Sequence, residues 1–158
     1  MNAQSLIAGV TLGYLAAGAA AVALWFGIGI VLLPLMAVAA IIHWHAGRPR
    51  VHKQAEPADS HHRWLARHHT LSVLALLLVL IVPLLAIPTL HTSLTTLVNT
   101  LAYAPHPAET LAVAWPQLGL GKLMAAGLIA TAGWLLVTLW ISVRLILRWL
   151  RWADRRPA

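Results

Sequence analysis

The fold is decided by residues 5–42, which read SLIAGVTLGYLAAGAAAVALWFGIGIVLLPLMAVAAII and contain no charged residue. A single helix of this length would measure about 57 Å, nearly twice the thickness of a hydrocarbon core of about 30 Å. Residues 25–29, WFGIG, combine aromatic side chains that favour a membrane interface with glycines that permit a tight turn. The stretch therefore predicts two membrane helices, at about 5–23 and 28–45. One long helix kinked at Pro34 and a re-entrant pair are the alternatives.

The composition of the whole chain also indicates a membrane protein. Of 158 residues, 60% are hydrophobic and 9% charged, and the mean hydropathy is +0.79, whereas soluble domains are about 25% charged. The formal net charge of +7 is confined to two short segments, so it does not indicate nucleic-acid binding. Because the chain has no cysteine, disulfides, thiolate metal sites, iron–sulfur clusters and cysteine nucleophiles are excluded.

Two further apolar stretches predict a third and a fourth span, at about 71–90 and 123–147. The sequence thus predicts an all-α polytopic membrane protein with four transmembrane helices in a single domain. A loop over 46–70 would join spans two and three, and a loop over 91–122 would join spans three and four.

The distribution of basic residues predicts the orientation of the four spans. Short cytoplasmic loops are enriched in lysine and arginine, and only Lys122 lies outside the two basic segments. Both chain termini are therefore predicted to be cytoplasmic, in a bacterial inner membrane. The first residues, MNAQS, lack the basic region and cleavage site of a signal peptide, so none is expected to be removed. The basic segments hold Arg48, Arg50, Lys53, Arg63 and Arg67, and Arg144, Arg148, Arg151, Arg155 and Arg156.

The nine histidines do not form a recognisable metal or haem site in the sequence. His43 and His45 point in different directions on a helix, and the pairs His61/His68 and His62/His69 share a face but stand about 10 Å apart. The interiors of the predicted spans contain no histidine that could ligate a haem. The interpretation is that these histidines lie at the membrane interface beside lipid headgroups. No catalytic residue, metal or cofactor is predicted, and the chain is not expected to be an enzyme.

The basic segments are predicted to bind a partner protein or anionic lipid. Residues 58–69 are expected to form a short polar helix in the interface, capped by Asp59 or Ser60. Arginines near the end of span four recur at spacings of four, three and four, which places them on one helical stripe, and tryptophans mark the depth of the headgroups. The predicted site residues are Arg63, Trp64, Arg67, Arg144, Arg148, Trp149, Arg151, Trp152 and Arg155.

Gly9 and Gly13 form a Gly-x-x-x-Gly pattern in span one. Small residues at this spacing let helices approach closely. They are predicted to mediate helix packing, either within the chain or in a homo-oligomer.

Three segments resemble a family of small bacterial inner-membrane proteins of unknown function. They are residues 40–44 (AIIHW), 59–67 (DSHHRWLAR) and 144–157 (RLILRWLRWADRRP). The family is related to a component of the chloroplast protein-import translocon and includes magnetosome membrane proteins. The resemblance covers most of the chain outside 91–122, and it implies a four-helix, non-enzymatic protein associated with a larger assembly.

Together these observations predict a structural, assembly or accessory subunit of a membrane complex. The expected partners are anionic lipid and another membrane protein or a second copy of the chain. A small transporter or pore subunit for a neutral or lipid-like cargo is the alternative, because Pro34 and Pro83 fall within predicted spans, where broken helices can line a transport path. An immunity or accessory protein for one specific partner would have the same sequence features.

Overall fold

A computed structural model describes residues 3–47, 56–154 and 156, and every regular element in them is helical. The elements are α1 (Ala3–Trp25), a 3₁₀ segment (Ile28–Leu32), α2 (Leu33–Ala46), α3 (Glu56–Tyr103), α4 (Pro107–Ala114), a second 3₁₀ segment (Trp115–Leu118) and α5 (Leu120–Ala153).

The prediction of an all-α protein with four membrane-spanning helices is confirmed. Among the described residues, four helical segments are long and apolar enough to cross a membrane, since a span needs about 20 residues. These segments are Ile7–Trp25, Ile28–Ala46, Ala58–Tyr103 and Leu120–Ala153.

The predicted division of residues 5–42 into two helices is also confirmed. α1 ends at Trp25, and Gly27 follows in the left-handed region with φ 74°, a conformation that glycine adopts without steric cost. The Gly27 amide donates to the carbonyl oxygen of Leu24 at 3.0 Å, which closes the turn. Pro34 lies in the first turn of α2, where its missing N–H costs no helical hydrogen bond. The alternative of one long helix kinked at Pro34 is therefore wrong.

α3 extends well beyond the predicted third span at both ends. It contains 48 residues, and it incorporates most of the predicted loop over 46–70 and the first part of the predicted loop over 91–122. Asp59 and Ser60 consequently lie inside the helix and do not cap it. Pro83 and Pro88 are within α3 without ending it. The separate interfacial helix predicted for 58–69 is thus the first part of α3.

The chain divides into two compact units. One contains the residues up to Leu76 together with those from Leu135 onward, and the other is Leu77–Trp134. The second unit includes α4 and the second 3₁₀ segment, whose Leu118 carbonyl oxygen accepts a hydrogen bond from the Ser93 hydroxyl of α3. Gly119, with φ 62°, then turns the chain into α5.

Within the first unit, the beginnings of α1 and α3 meet the ends of α2 and α5. The His62 ring of α3 lies against Gly9 of α1, and hydrogen bonds join α3 to the other two ends. The two described arginine-bearing segments of this unit, the first part of α3 and the end of α5, therefore contact each other. The hydrogen bonds are Arg63 Nη1 to the Gly47 carbonyl oxygen at 3.4 Å and His61 Nε2 to the Arg156 carbonyl oxygen at 2.7 Å.

Candidate functional site

The predicted basic site residues differ in how much of each side chain is exposed. Arg63, Arg67 and Arg151 are exposed, whereas Arg144 and Arg148 are half-buried. The arginines of α5 lie on one continuous helix, as the spacing predicts. Arg155 lies outside the described residues, as do Arg48, Arg50 and Lys53.

Residues 61–70 of α3 expose one narrow stripe and bury their other side chains. Arg63, Arg67 and Thr70 are exposed, at spacings that keep them on one face of a helix. The residues between them are buried, including Trp64 at 8% and Leu65 at 0% exposure. The structure therefore places Trp64 in the protein interior, whereas the arginines on either side of it in the sequence face outward.

Tyr14 of α1 is the centre of a buried aromatic group. It is fully buried, its ring stacks on Trp64 with centroids 5.8 Å apart, and Trp149 of α5 meets it edge-on at 5.5 Å. Offset stacked and edge-to-face pairs are both favourable arrangements of aromatic rings. One side chain of α1 thus holds α3 and α5 together.

His61 links the same three elements through hydrogen bonds. Its Nε2 lies 2.7 Å from the Arg156 carbonyl oxygen, and because a carbonyl oxygen can only accept, Nε2 carries the hydrogen. In the neutral ring Nδ1 must then accept, and the Tyr14 hydroxyl donates to it at 2.6 Å. The chain of hydrogen bonds therefore runs from Tyr14 through His61 to the backbone beyond α5, and it fixes the tautomer of His61.

A second group of histidines packs α2 against α1 and α3. His43 Nδ1 and His62 Nδ1 are 2.9 Å apart, so one donates and the other accepts. The ring of His69 lies nearly parallel to that of His43, with centroids 5.8 Å apart. The His43 ring occupies the space where Gly13 lacks a side chain, because a Cβ at position 13 would lie 2.5 Å from its Cε1 atom.

The predicted role of Gly9 and Gly13 in helix packing therefore has a specific form within the chain. Gly9 contacts the ring of His62. Gly13 contacts the ring of His43 and the end of the Leu65 side chain. Both glycines make room for side chains of α2 and α3, so these contacts are intramolecular.

The prediction that the histidines lie beside lipid headgroups is wrong for five of them. Their exposure is between 0% and 6%. The prediction fails because α1, α2 and the end of α5 pack against the start of α3, so its histidine side chains face other helices. The five are His43, His61, His62, His68 and His69.

Within residues 3–47, 56–154 and 156, no three histidine or carboxylate side chains are grouped so that they could hold a metal ion. In the same part of the chain, one carboxylate forms an ion pair, between Asp154 and Arg156 at 3.7 Å. Arg144 lies over the ring of Trp140, 4.7 Å from its centroid, so it makes a cation–π contact. Arg148 Nη1 is buried and has no hydrogen-bond partner among the described residues.

The histidine–aromatic cluster, defined as Tyr14, His43, His61, His62, Trp64, His68, His69, Trp149 and Trp152, was not predicted as a unit. Trp149 and Trp152 are half-buried, and its other members are buried. One signal for it was present: His61 and His62 recur as His68 and His69 seven residues later, which indicates a polar helix stripe. The stripe contacts Tyr14 of α1 and His43 of α2. These residues belong to other helices, so no local sequence pattern links them to the stripe.

Tyr14→Phe is expected to lower the free energy of unfolding by about 1–3 kcal/mol, because His61 Nδ1 would stay buried without a donor. The measurement is the midpoint of thermal unfolding in detergent. Tyr103→Phe is the matched control, since Tyr103 is 82% exposed, and it should leave the midpoint unchanged. Equal midpoints for the two variants would contradict the assigned hydrogen bond.

Comparisons with known proteins add no family to these observations. No protein-family model, no curated protein and no solved structure matches the chain.

Proposed function

We propose that the protein is a non-catalytic integral membrane protein that serves as an assembly or accessory subunit of a membrane complex. It would bind its partner through a basic face, defined as Arg63 and Arg67 of α3 with Arg144, Arg148 and Arg151 of α5. The resemblance of residues 59–67 and 144–157 to a family associated with larger assemblies agrees with this role.

The observation that carries the proposal is the contact between the two basic segments. His61 lies in the first part of α3, shortly before Arg63. Its Nε2 atom is 2.7 Å from the Arg156 carbonyl oxygen, and the centroid of its ring is 4.9 Å from that of the Trp152 ring. Cations that are far apart in the sequence are thereby grouped at one end of the first unit. A group of like charges attracts a partner of opposite charge and guides its approach.

The arginines of the basic face are not neutralised by acidic side chains in the described part of the chain. The one ion pair there is between Asp154 and Arg156. Asp59 is the nearest acidic residue in sequence to Arg63, and it is buried at 5% exposure. The charges of Arg63, Arg67 and Arg151 are therefore available to an acidic protein surface or to anionic headgroups.

The cluster beneath the basic face supports a binding role because it holds the arginine-bearing helices rigidly. Tyr14 contacts Trp64 and Trp149, and the Trp152 indole N–H donates to the Thr11 hydroxyl at 3.3 Å. A preorganised surface loses less conformational entropy when a partner binds.

The part of the first unit that carries the basic face would face the cytoplasm of a bacterial cell. Lysine and arginine are enriched on the cytoplasmic side of inner-membrane proteins, and the basic segments meet in this part. Both termini would then be cytoplasmic, and the anionic lipids of that leaflet would attract the basic face.

Charge reversal tests the proposal. Arg67→Glu combined with Arg151→Glu should reduce recovery of a co-purifying membrane protein at least about tenfold, since each surface cation contributes roughly 1 kcal/mol. Both side chains are exposed, so the fold and membrane insertion should be unaffected. The tagged protein would be purified from native membranes in mild detergent, and its partners identified and quantified by mass spectrometry.

Lys122→Glu provides the matched control, because Lys122 is an exposed cation of the other unit. It should leave recovery of the partner unchanged. Unaltered recovery with the double variant, or a purified protein that carries anionic lipid and no stoichiometric protein, would overturn the proposal.

A further inference from the structure

A groove of about 430 Å³ lies between α3 and α5 in the unit Leu77–Trp134. Its walls are almost entirely apolar, and small alanine side chains form part of its floor. Its volume is typical of binding sites for small molecules. The groove is too small to hold a partner helix, which would be about 10 Å wide. The lining of the groove includes Val82, Ala86, Thr89, Lys122, Ala126 and Ile129.

The two ends of the groove differ in polarity. Gly119, just before α5, lies against Thr89 of α3, and further along α5 Gly133 lies against Val79. The helices are therefore antiparallel, with Thr89 and Lys122 at one end of the groove and Val82 and Ile129 at the other. An occupant would need a polar end and an apolar end in the same order.

The polar end also carries an unneutralised charge. Lys122 is the one lysine or arginine among residues 77–134, and Glu109 is the one acidic residue. No ion pair forms between them, although this unit is described throughout. An apolar groove that ends at a free ammonium group is complementary to a negatively charged amphiphile.

The sequence-derived membrane boundary coincides with this polar end. The predicted third span ends at Leu90 and the fourth begins at Leu123, so Thr89 and Lys122 would lie at the depth of lipid headgroups, and the apolar end would lie among acyl chains. A lysine at this depth would attract the negative charge of a phospholipid headgroup.

We propose that the groove between α3 and α5 binds one anionic phospholipid, with an acyl chain against Ala86 and Ala126 and the phosphate beside Lys122. This site shares no residue with the basic face and does not depend on the proposed assembly role. Lys122→Gln should leave partner recovery intact, so failure of one proposal leaves the other standing.

The absence of cysteine in the chain permits a direct test. Ala126→Cys would introduce a single thiol in the groove, and Met124→Cys would introduce one at an exposed position of α5 outside it and at a similar depth. Each variant would be reconstituted in phosphatidylcholine vesicles, with or without phosphatidylglycerol, and reacted with a membrane-permeant maleimide.

Phosphatidylglycerol should slow labelling at position 126 about fivefold and in a saturable way, as expected for one cation–lipid contact. Labelling at position 124 should not change. Adding Lys122→Gln should remove the phosphatidylglycerol dependence at position 126, and Lys122→Arg should retain it, because arginine keeps the charge.

Three results would overturn the site. Equal labelling rates at position 126 in the two kinds of vesicle would show that ordinary surrounding lipid, and no bound phosphatidylglycerol, occupies the groove. Retention of the phosphatidylglycerol dependence in Lys122→Gln would show that the charge plays no part. In a further set of phosphatidylcholine vesicles that contain oleate, slower labelling at position 126 with oleate but not with phosphatidylglycerol would show a fatty-acid site instead of a phospholipid site.

Discussion

Gly13→Leu is expected to destabilise the fold strongly, by about 1–3 kcal/mol or more, because it overpacks a buried contact. Even a Cβ at this position would lie 2.5 Å from His43 Cε1, 2.6 Å from His43 Nε2 and 2.9 Å from Leu65 Cδ1. His43 is hydrogen-bonded to His62 and cannot move away without breaking that bond. The substitution should therefore separate α1 from both α2 and α3.

The control for this prediction is Gly18→Leu, on the same helix. A Cβ at Gly18 would meet no atom within 4 Å, so the side chain can be accommodated. Unfolding midpoints in detergent would be compared for the two variants and the parent protein. If Gly13→Leu and Gly18→Leu unfolded at the same temperature, the glycine–histidine contact would be refuted.

Trp64→Ala is expected to cost about 3–5 kcal/mol, the usual effect of removing a large aromatic side chain from a packed interior. Trp64 is 8% exposed and stacks on Tyr14 at 5.8 Å and on His68 at 4.6 Å. Its loss would leave a cavity at the centre of the histidine–aromatic cluster. The arginines of the proposed basic face would then lose the packing that holds α3 against α1.

Trp44→Ala is the corresponding control, because Trp44 is 62% exposed. It should change the unfolding midpoint little, while Trp64→Ala should lower it by many degrees. Circular dichroism at low temperature would establish whether each variant is still helical before heating. A comparable loss of stability in both variants would mean that Trp64 is not a core residue.

The membrane helices were predictable because their signals are local. Hydrophobic length sets the number of spans, and the turn between α1 and α2 depends on Gly27, where a positive φ is needed. The spacing of Arg144, Arg148 and Arg151 placed them on one helix, which α5 contains without a break. Each of these inferences requires only residues close together in the sequence.

The burial of the histidines was not predictable in the same way. A polar stretch such as residues 58–69 has the same local pattern whether it faces headgroups or other helices. The difference is made by partners distant in sequence, as in the pairing of His62 with His43 and of His61 with Tyr14. The sequence does not show which helices pack against α3. It therefore could not show that Arg63 is exposed and that Trp64 is buried.

The bond between His61 and the Arg156 carbonyl oxygen also has a consequence for biogenesis. Its two partners are 95 residues apart, so at synthesis rates of about 5–20 residues per second the acceptor is made roughly 5–20 s after His61. During that interval α1, α2 and the start of α3 can already contact one another. The Arg156 carbonyl oxygen, which accepts from His61 Nε2, has not yet been synthesised. A nascent chain arrested after α3 should therefore expose its His61 side to membrane chaperones or insertion factors, and arrival of α5 would end that exposure.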